Sequence, residues 1–301
     1  MSALKSALSY EDQIQRLVNV HDLKINDYNA AINILQNVGY YRLSGYGTGL
    51  KRYDDPEKFI AGVTIEQLYG LHEFDSKFRN LLMHMIEYIE IQLRVRISQY
   101  LSLKYGPEFY LDSKYFISRC VKKGKETVNV HKDLIEKLAQ EIVRQSGKPF
   151  VKHHNSKYSG HFPFWVAIGL FTFGMLTSMY GILLPDDQET IAKFYGTTKR
   201  RLSGWLLALL ETRNICAHHS RLYNMNLKQK PYLYSEYKQY RNTDKIFPLL
   251  LVLKRWFRAD QKRWEPFYAG LLALFSEYEE IVRLPYLGFP DDWQNVLRGK
   301  S

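Results

Sequence analysis

The sequence predicts an all-α fold. Apolar residues recur at helical spacing over long stretches, above all between Leu68 and Leu101. Capping residues stand where those stretches begin and end. No run sustains alternation at period two, and no internal repeat or low-complexity tract interrupts the pattern.

Asn26 or Asp27 caps a first helix through Ala30, Ala31, Ile34 and Leu35, and Gly39 ends it. Tyr40–Gly49, rich in glycine, reads as a loop, and Asp54-Asp55-Pro56 is a second break. Thr64 and Gln67 form a capping-box pattern. Beyond it, Leu68, Leu71, Phe74, Phe78, Leu82, Met85, Ile89, Leu93, Ile97 and Leu101 line one long amphipathic helix, or two in line, ending near Gly106-Pro107. Lys132–Gln145 is a shorter polar helix, and Lys148–Gly160 reads as a loop.

Phe162 to Pro185 contains no charged residue and is long enough to span a bilayer. Pro163, three glycines and several hydroxyl side chains argue instead for a buried helix near Pro163–Met179 followed by a turn. Pro185-Asp186-Asp187 opens a short helix that closes at Gly196. Thr197 or Thr198 caps the next, which holds Leu202, Trp205, Leu206, Leu209 and Leu210. Ile246–Arg258 and Gln261–Val282 give two more, and the last twenty residues read as a tail on the surface.

The composition is that of a folded chain: 46% of residues are hydrophobic and 24% charged, which excludes a wholly disordered protein. Two cysteines, Cys120 and Cys216, make no disulfide framework, and the first residues do not form a signal peptide, so a cytoplasmic location is expected. The net charge of +11 points to an anionic partner. Its placement is uneven. Residues 119–157 hold 10 Lys and Arg against 4 Asp and Glu, and residues 199–263 hold 15 against 4. The other segments are neutral or acidic, which favours nucleic acid over a diffuse surface charge.

The segment Glu211 to Asn224 carries the side chains that phosphodiester chemistry needs. His218 and His219 can move protons near neutral pH. Arg213 can grip a phosphate by parallel hydrogen bonds, and Arg221 can add to that grip or simply cap the helix end. Asn214 and His218, four apart, share a helix face. Arg213 and His218, five apart, lie about 140° around an ideal helix. Either the helix ends near Ala217, or a second copy of the chain completes the site across a two-fold axis.

Here a family resemblance enters. Arg213-Asn214-Ile-Cys-Ala-His218 fits the R-x4-6-H signature of HEPN ribonucleases. The surrounding chain resembles the Abi family of bacterial abortive-infection proteins, of the AbiD and AbiF type. Four blocks carry the likeness: Gly39 to Tyr46, Phe74-Asp75 with Arg79, Glu87, Glu90 and Arg94, Pro163-Phe-Trp165 to Leu176, and Arg213 to Asn224. The resemblance implies a HEPN-type helical bundle with N-terminal and C-terminal helical extensions, divided as 1–60, 61–225 and 226–301. It implies RNA cleavage without a metal or other cofactor, a homodimer with one motif from each protomer, and a role in phage defence. A small structured RNA or a protein antitoxin would hold such a toxin in check. Arg213, Asn214 and His218 would then be the catalytic set, with His219 and Arg221 in support. A catalytically silent RNA-binding or sensor module is the alternative.

Other candidates have two readings each. Residues 221–241 interleave five tyrosines with five basic residues. Bases could stack on Tyr232 and Tyr234 while phosphates meet Lys228, Lys230, Lys238 and Arg241; equally, the aromatics could tuck the loop onto the bundle. Lys122 and Lys123 form a basic run that reads first as a solvated loop and second as a phosphate contact. Glu87 and Glu90 suggest an ion pair with Arg94 or an anchor for Arg213 rather than a metal site. His153, His154 and His161 lack a Cys or carboxylate at ligand spacing, so no metal is expected. Tyr40, Tyr41, Arg42 and Tyr46 read as a structural plug against the bundle.

Overall fold

The computed structural model describes residues 6–124 and 126–298. They are 64% helical, with one small two-stranded hairpin. Ser9 caps α1 (Tyr10–Asn19), and Asp27 caps α2 (Tyr28–Val38) by accepting the Ala30 N–H at 3.0 Å. Gly39, at φ 81°, then turns the chain sharply. The loop expected from Tyr40 begins as a helix instead, α3 (Tyr40–Gly45), because Leu43 buries its side chain and the glycines act only at the helix end.

The capping box forms with both halves in place, Gln67 N–H to Thr64 Oγ1 and Thr64 N–H to Gln67 Oε1, each 3.2 Å. It starts α4 (Ile65–Tyr105), one unbroken helix of 41 residues, about 60 Å long at 1.5 Å per residue. After Gly106 come β1 (Cys120–Lys123) and β2 (Glu126–Asn129), an antiparallel pair that no alternation in the sequence announces. Gly124, at φ 62°, begins the reversal between them. Asn129 caps α5 (Val130–Arg144).

Residues 148–160 are not a loop. They hold α6 (Pro149–Lys157), started by Pro149 at its first position and pinned by buried Val151 and His154. Nor is the uncharged stretch one helix. It divides into α7 (Phe164–Ala167), a 3-10 turn at Ile168–Leu170, and α8 (Phe173–Ile182). Phe171 goes extended and Thr172 caps α8 by accepting the Met175 N–H at 3.2 Å. No helix among the described residues is long and apolar enough to cross a membrane.

Next come α9 (Pro185–Lys193) and α10 (Lys199–Ala217), the latter capped by Thr198. Then α11 (Phe247–Trp256), α12 (Gln261–Glu277) and α13 (Trp293–Arg298) complete the chain. The C-terminal stretch is not a surface tail. Leu287, Phe289, Trp293 and Leu297 are all buried in the main core.

Buried side chains fall into two clusters. The smaller joins α1, α2, α3 and the start of α4 through Ile14, Leu17, Leu35, Leu43 and Leu68. The larger surrounds the rest of α4 and includes residues of α8, α10, α11 and α12. α10 packs against α4, α8 and α9, so the Arg213–His218 segment rises out of the centre of the molecule.

Candidate functional site

Leu202, Trp205, Leu206, Leu209, Thr212 and Cys216 form the buried face of α10. Burial pushes the Cys216 thiol up to about 12, so it stays protonated and serves as packing. Asn214 and His218 stand on the opposite, exposed face. The helix ends at Ala217, as the spacing allowed. His218 is its C-cap, and its N–H donates to the Asn214 carbonyl at 3.0 Å.

The turn that follows is a complete Schellman motif. His219 N–H donates to Cys216 O at 3.1 Å and Ser220 N–H to Ile215 O at 2.9 Å. His219 occupies the left-handed position, φ 53°, where glycine is usual. What holds it there is a clamp from the N-terminal block. Arg42 Nη2 donates to the His219 carbonyl at 2.5 Å, the Arg221 guanidinium donates to the Gly45 carbonyl, and Asn224 Nδ2 donates to Thr48 O at 3.2 Å. Arg221 therefore points into this contact rather than toward the His218 face, and burial lowers its pKa from the ordinary value.

At the base of the clamp sits Asp75, fully buried on α4. Its carboxylate accepts from Tyr46 Oη at 2.8 Å, from the Arg79 guanidinium, from Leu222 N–H at 3.2 Å and from Tyr223 N–H at 2.7 Å. Burial first, then the Asp75 charge, raises the Tyr46 phenol well above its usual range. Arg42 stands as the one base among the tyrosines of residues 39–46, whereas Asp75, flanked by Glu73, Ser76 and Lys77, carries no local mark of this task.

Arg213 takes a different direction from its neighbours. A shallow groove of about 460 Å³ at the end of α10 is lined by Leu207, Leu210, Asn214, His218, Lys228 and Gln229 among others, and Arg213 is not one of them. Arg213 Nε lies 4.0 Å from Glu90 Oε2 and has no hydrogen-bond partner. The other oxygen of Glu90 holds Arg94 Nη2 at 2.5 Å, and Arg94 continues to the Phe171 carbonyl at 2.8 Å. Glu90 thus pairs with Arg94 and stands at ion-pair distance from Arg213. Glu87, one turn earlier, is exposed.

A comparison with protein families decides where this chain belongs. The family model described as "Abi-like protein" matches residues 33–224, well over half of the chain. The chain belongs to the Abi-like family. No curated protein and no solved structure gives a significant match. The matched span of this Abi-like chain begins inside α2 and ends on Asn224, so it holds the clamp, Asp75 and the whole of α10.

Beyond Asn224 the basic loop of this family member lies outside the match, and it is tucked rather than free. Leu227 and Leu233 are buried. Glu211 accepts the N–H groups of Lys228 at 2.9 Å and Gln229 at 2.7 Å. Trp205 Nε1 donates to Tyr232 O at 2.9 Å, and Tyr234 Oη donates to Gly196 O at 2.7 Å. Tyrosine faces meet arginines: Arg200 lies 4.8 Å from the Tyr232 ring centre, Arg201 and Arg255 lie 4.3 and 4.5 Å from that of Tyr234. The Lys228, Lys230, Lys238 and Arg241 side chains remain exposed. Lys122 is exposed on β1, and the side chain of Lys123 lies outside the described residues. His154 is buried against Phe162, and His161 Nδ1 sits 2.9 Å from Glu108. Among the described residues, no group of three or more His, Cys, Asp or Glu is placed to hold a metal ion.

Proposed function

We propose that this chain is a HEPN-type RNA endonuclease working in abortive-infection phage defence, with which the Abi-like family is associated. The observation that carries the reading is the end of α10. Asn214 and His218 share one open groove, and Arg213 precedes Asn214 on the same helix end, its Nε 4.0 Å from Glu90 Oε2. A clamp of Arg42, Gly45, Thr48 and Asp75 fixes the turn that sets the imidazole.

In this reading an RNA 2′-hydroxyl attacks the adjacent phosphorus, with His218 taking its proton or returning one to the leaving 5′-oxygen. The P–O5′ bond breaks, leaving a 2′,3′-cyclic phosphate and a 5′-hydroxyl. Arg213 stabilises charge on the phosphoryl oxygens, and Asn214 orients the imidazole or the phosphate. The nucleophile belongs to the substrate, so the scheme requires no metal and does not act on DNA. Arg213 does not line the His218 groove of its own protomer, which favours a two-fold dimer in which paired motifs complete one site. The exposed Leu207, 44% accessible beside that groove, supplies apolar surface for such a contact.

The test is cleavage of RNA with and without EDTA by the wild type, His218→Ala and Arg213→Ala. Wild-type activity should survive the chelator and fall by at least a hundredfold in both variants. Activity retained in both variants sinks the site. Tight RNA binding by a wild type that cuts nothing supports the silent module instead.

A further inference from the structure

A second cationic site lies at the opposite end of α10. Residues 227–234 run back along the helix from its last turn to its first, registered by Glu211, Trp205 and Gly196. Where this segment meets the first turn of α10 there is a cavity of about 530 Å³, lined by Thr198, Arg200, Arg201, Lys230, Tyr232 and Arg241 among others. Four of those side chains are cationic. None of the four has a carboxylate within ion-pair distance among the described residues, although ion pairs are common elsewhere on this surface.

The arginines are positioned without being used up. The guanidinium groups of Arg200 and Arg201 lie over the rings of Tyr232 and Tyr234, and Arg241 Nη2 donates to the Leu233 carbonyl at 3.0 Å. Among the described residues neither the Arg200 nor the Arg201 side chain makes a hydrogen bond, so their N–H donors are free for an oxyanion. The backbone N–H of Lys199 is already taken by Glu189 Oε2 at 3.2 Å, so the side chains and not the helix end make the site. Gathering four like charges around one cavity is unfavourable unless an anion sits among them. The planar, forked donors fit a phosphate.

The cavity also has a fixed relation to the groove at His218. Arg200 and His218 are 18 residues apart, five whole turns, so both stand on the same exposed face of α10. From Arg200 to His218 is about 27 Å along the axis. A stacked strand covers that distance in about eight nucleotides.

We propose that this cavity is a remote phosphate site, which holds the backbone of an RNA strand whose scissile phosphate lies at the His218 groove. The inference rests on the nuclease reading for its polarity along α10 and adds a length requirement. It assigns Arg200 and Arg201, on the first turn of α10, and gives Tyr232 and Tyr234 the task of holding arginines rather than bases.

The test uses the full chain carrying His218→Ala, so that RNA is not consumed. Fluorescein-labelled single-stranded RNAs of 3 and 12 nucleotides are titrated by anisotropy. The 12-mer should bind at least tenfold tighter than the 3-mer. Adding Arg200→Ala and Lys230→Ala should remove most of that advantage; Lys230 makes no hydrogen bond or ion pair within the chain among the described residues, so its variant alone guards against misfolding. A length advantage that survives both substitutions within twofold overturns the site. A wild type that cleaves no RNA while the length advantage holds ends the nuclease reading and leaves the phosphate site. A wild type that cuts 3-mers and 12-mers with equal kcat/KM ends the phosphate site and leaves the nuclease.

Discussion

His219 shows how a single residue is held against its own preference. A non-glycine side chain in the left-handed region costs roughly 1–2 kcal/mol, and here the cost is met by Arg42 on its carbonyl and by the two Schellman hydrogen bonds. Replacing it by glycine keeps all three bonds and removes the crowded Cβ. His219→Gly should therefore raise stability by about 1 kcal/mol, read as a higher urea midpoint at an unchanged slope. Loss of RNA cleavage at that raised midpoint would assign the imidazole a part in the reaction. Asp75 is the opposite case, a residue whose removal leaves others stranded. Arg79 is nearly buried beside it, and the N–H groups of Leu222 and Tyr223 have their bonds there. Asp75→Ala should cost about 3–5 kcal/mol. Its chemical-denaturation midpoint should drop accordingly, and an unchanged midpoint would show that water replaces the carboxylate.

At the scale of elements, the caps were what made the fold legible. Asp27, Thr64 with Gln67, and Thr198 each start the helix expected of them, and Gly39, Gly106 and Gly196 stop or follow one. Where a helix begins on a proline without a side-chain cap and carries little apolar periodicity, as α6 does, the sequence reads as loop. Where a stretch is apolar throughout, as in α7 and α8, periodicity has no contrast to work with, and the break at Phe171-Thr172 is settled by packing. The candidate site divides the same way. The Arg213–His218 spacing and the end of the helix near Ala217 were readable, whereas the clamp joins residues about 177 positions apart, which no local pattern encodes. Gly204 in the middle of α10 also has a tertiary cause. A Cβ there would lie 2.6 Å from the Tyr232 ring, so the glycine exists to let the basic segment lie flat on the helix. Gly204→Ala should gain helix propensity yet push Tyr232 off. Overpacking of this kind costs about 1–3 kcal/mol. The expected outcome is a lower melting temperature together with faster proteolysis between Lys228 and Lys238; a stabilised chain with the segment still protected would show that the ring shifts without detaching it.

Across the whole molecule, the +11 charge is not two equivalent patches. Between residues 119 and 157, three cations of α5 are answered by carboxylates on the same helix: Lys132 with Glu136, Lys137 with Asp133 and Arg144 with Glu141. Between 199 and 263, the ion pairs among the described residues are Arg213 with Glu90 and Arg263 with Asp260, and the cations along α10 and its returning segment face solvent. An anion that releases counterions on binding gains where the charge is unanswered, so the second segment should dominate RNA affinity. Each phosphate contact on a single strand contributes a slope of about 0.7 to the dependence of log affinity on log salt. Replacing Lys228, Lys230 and Arg241 together by alanine in the His218→Ala background should therefore flatten that slope by about 2. The paired Lys132 and Lys137, replaced in the same background, should leave it unchanged. A flattening from the α5 pair as large as that from the loop would mean that RNA reads only the overall charge, and that the path along α10 is not its track.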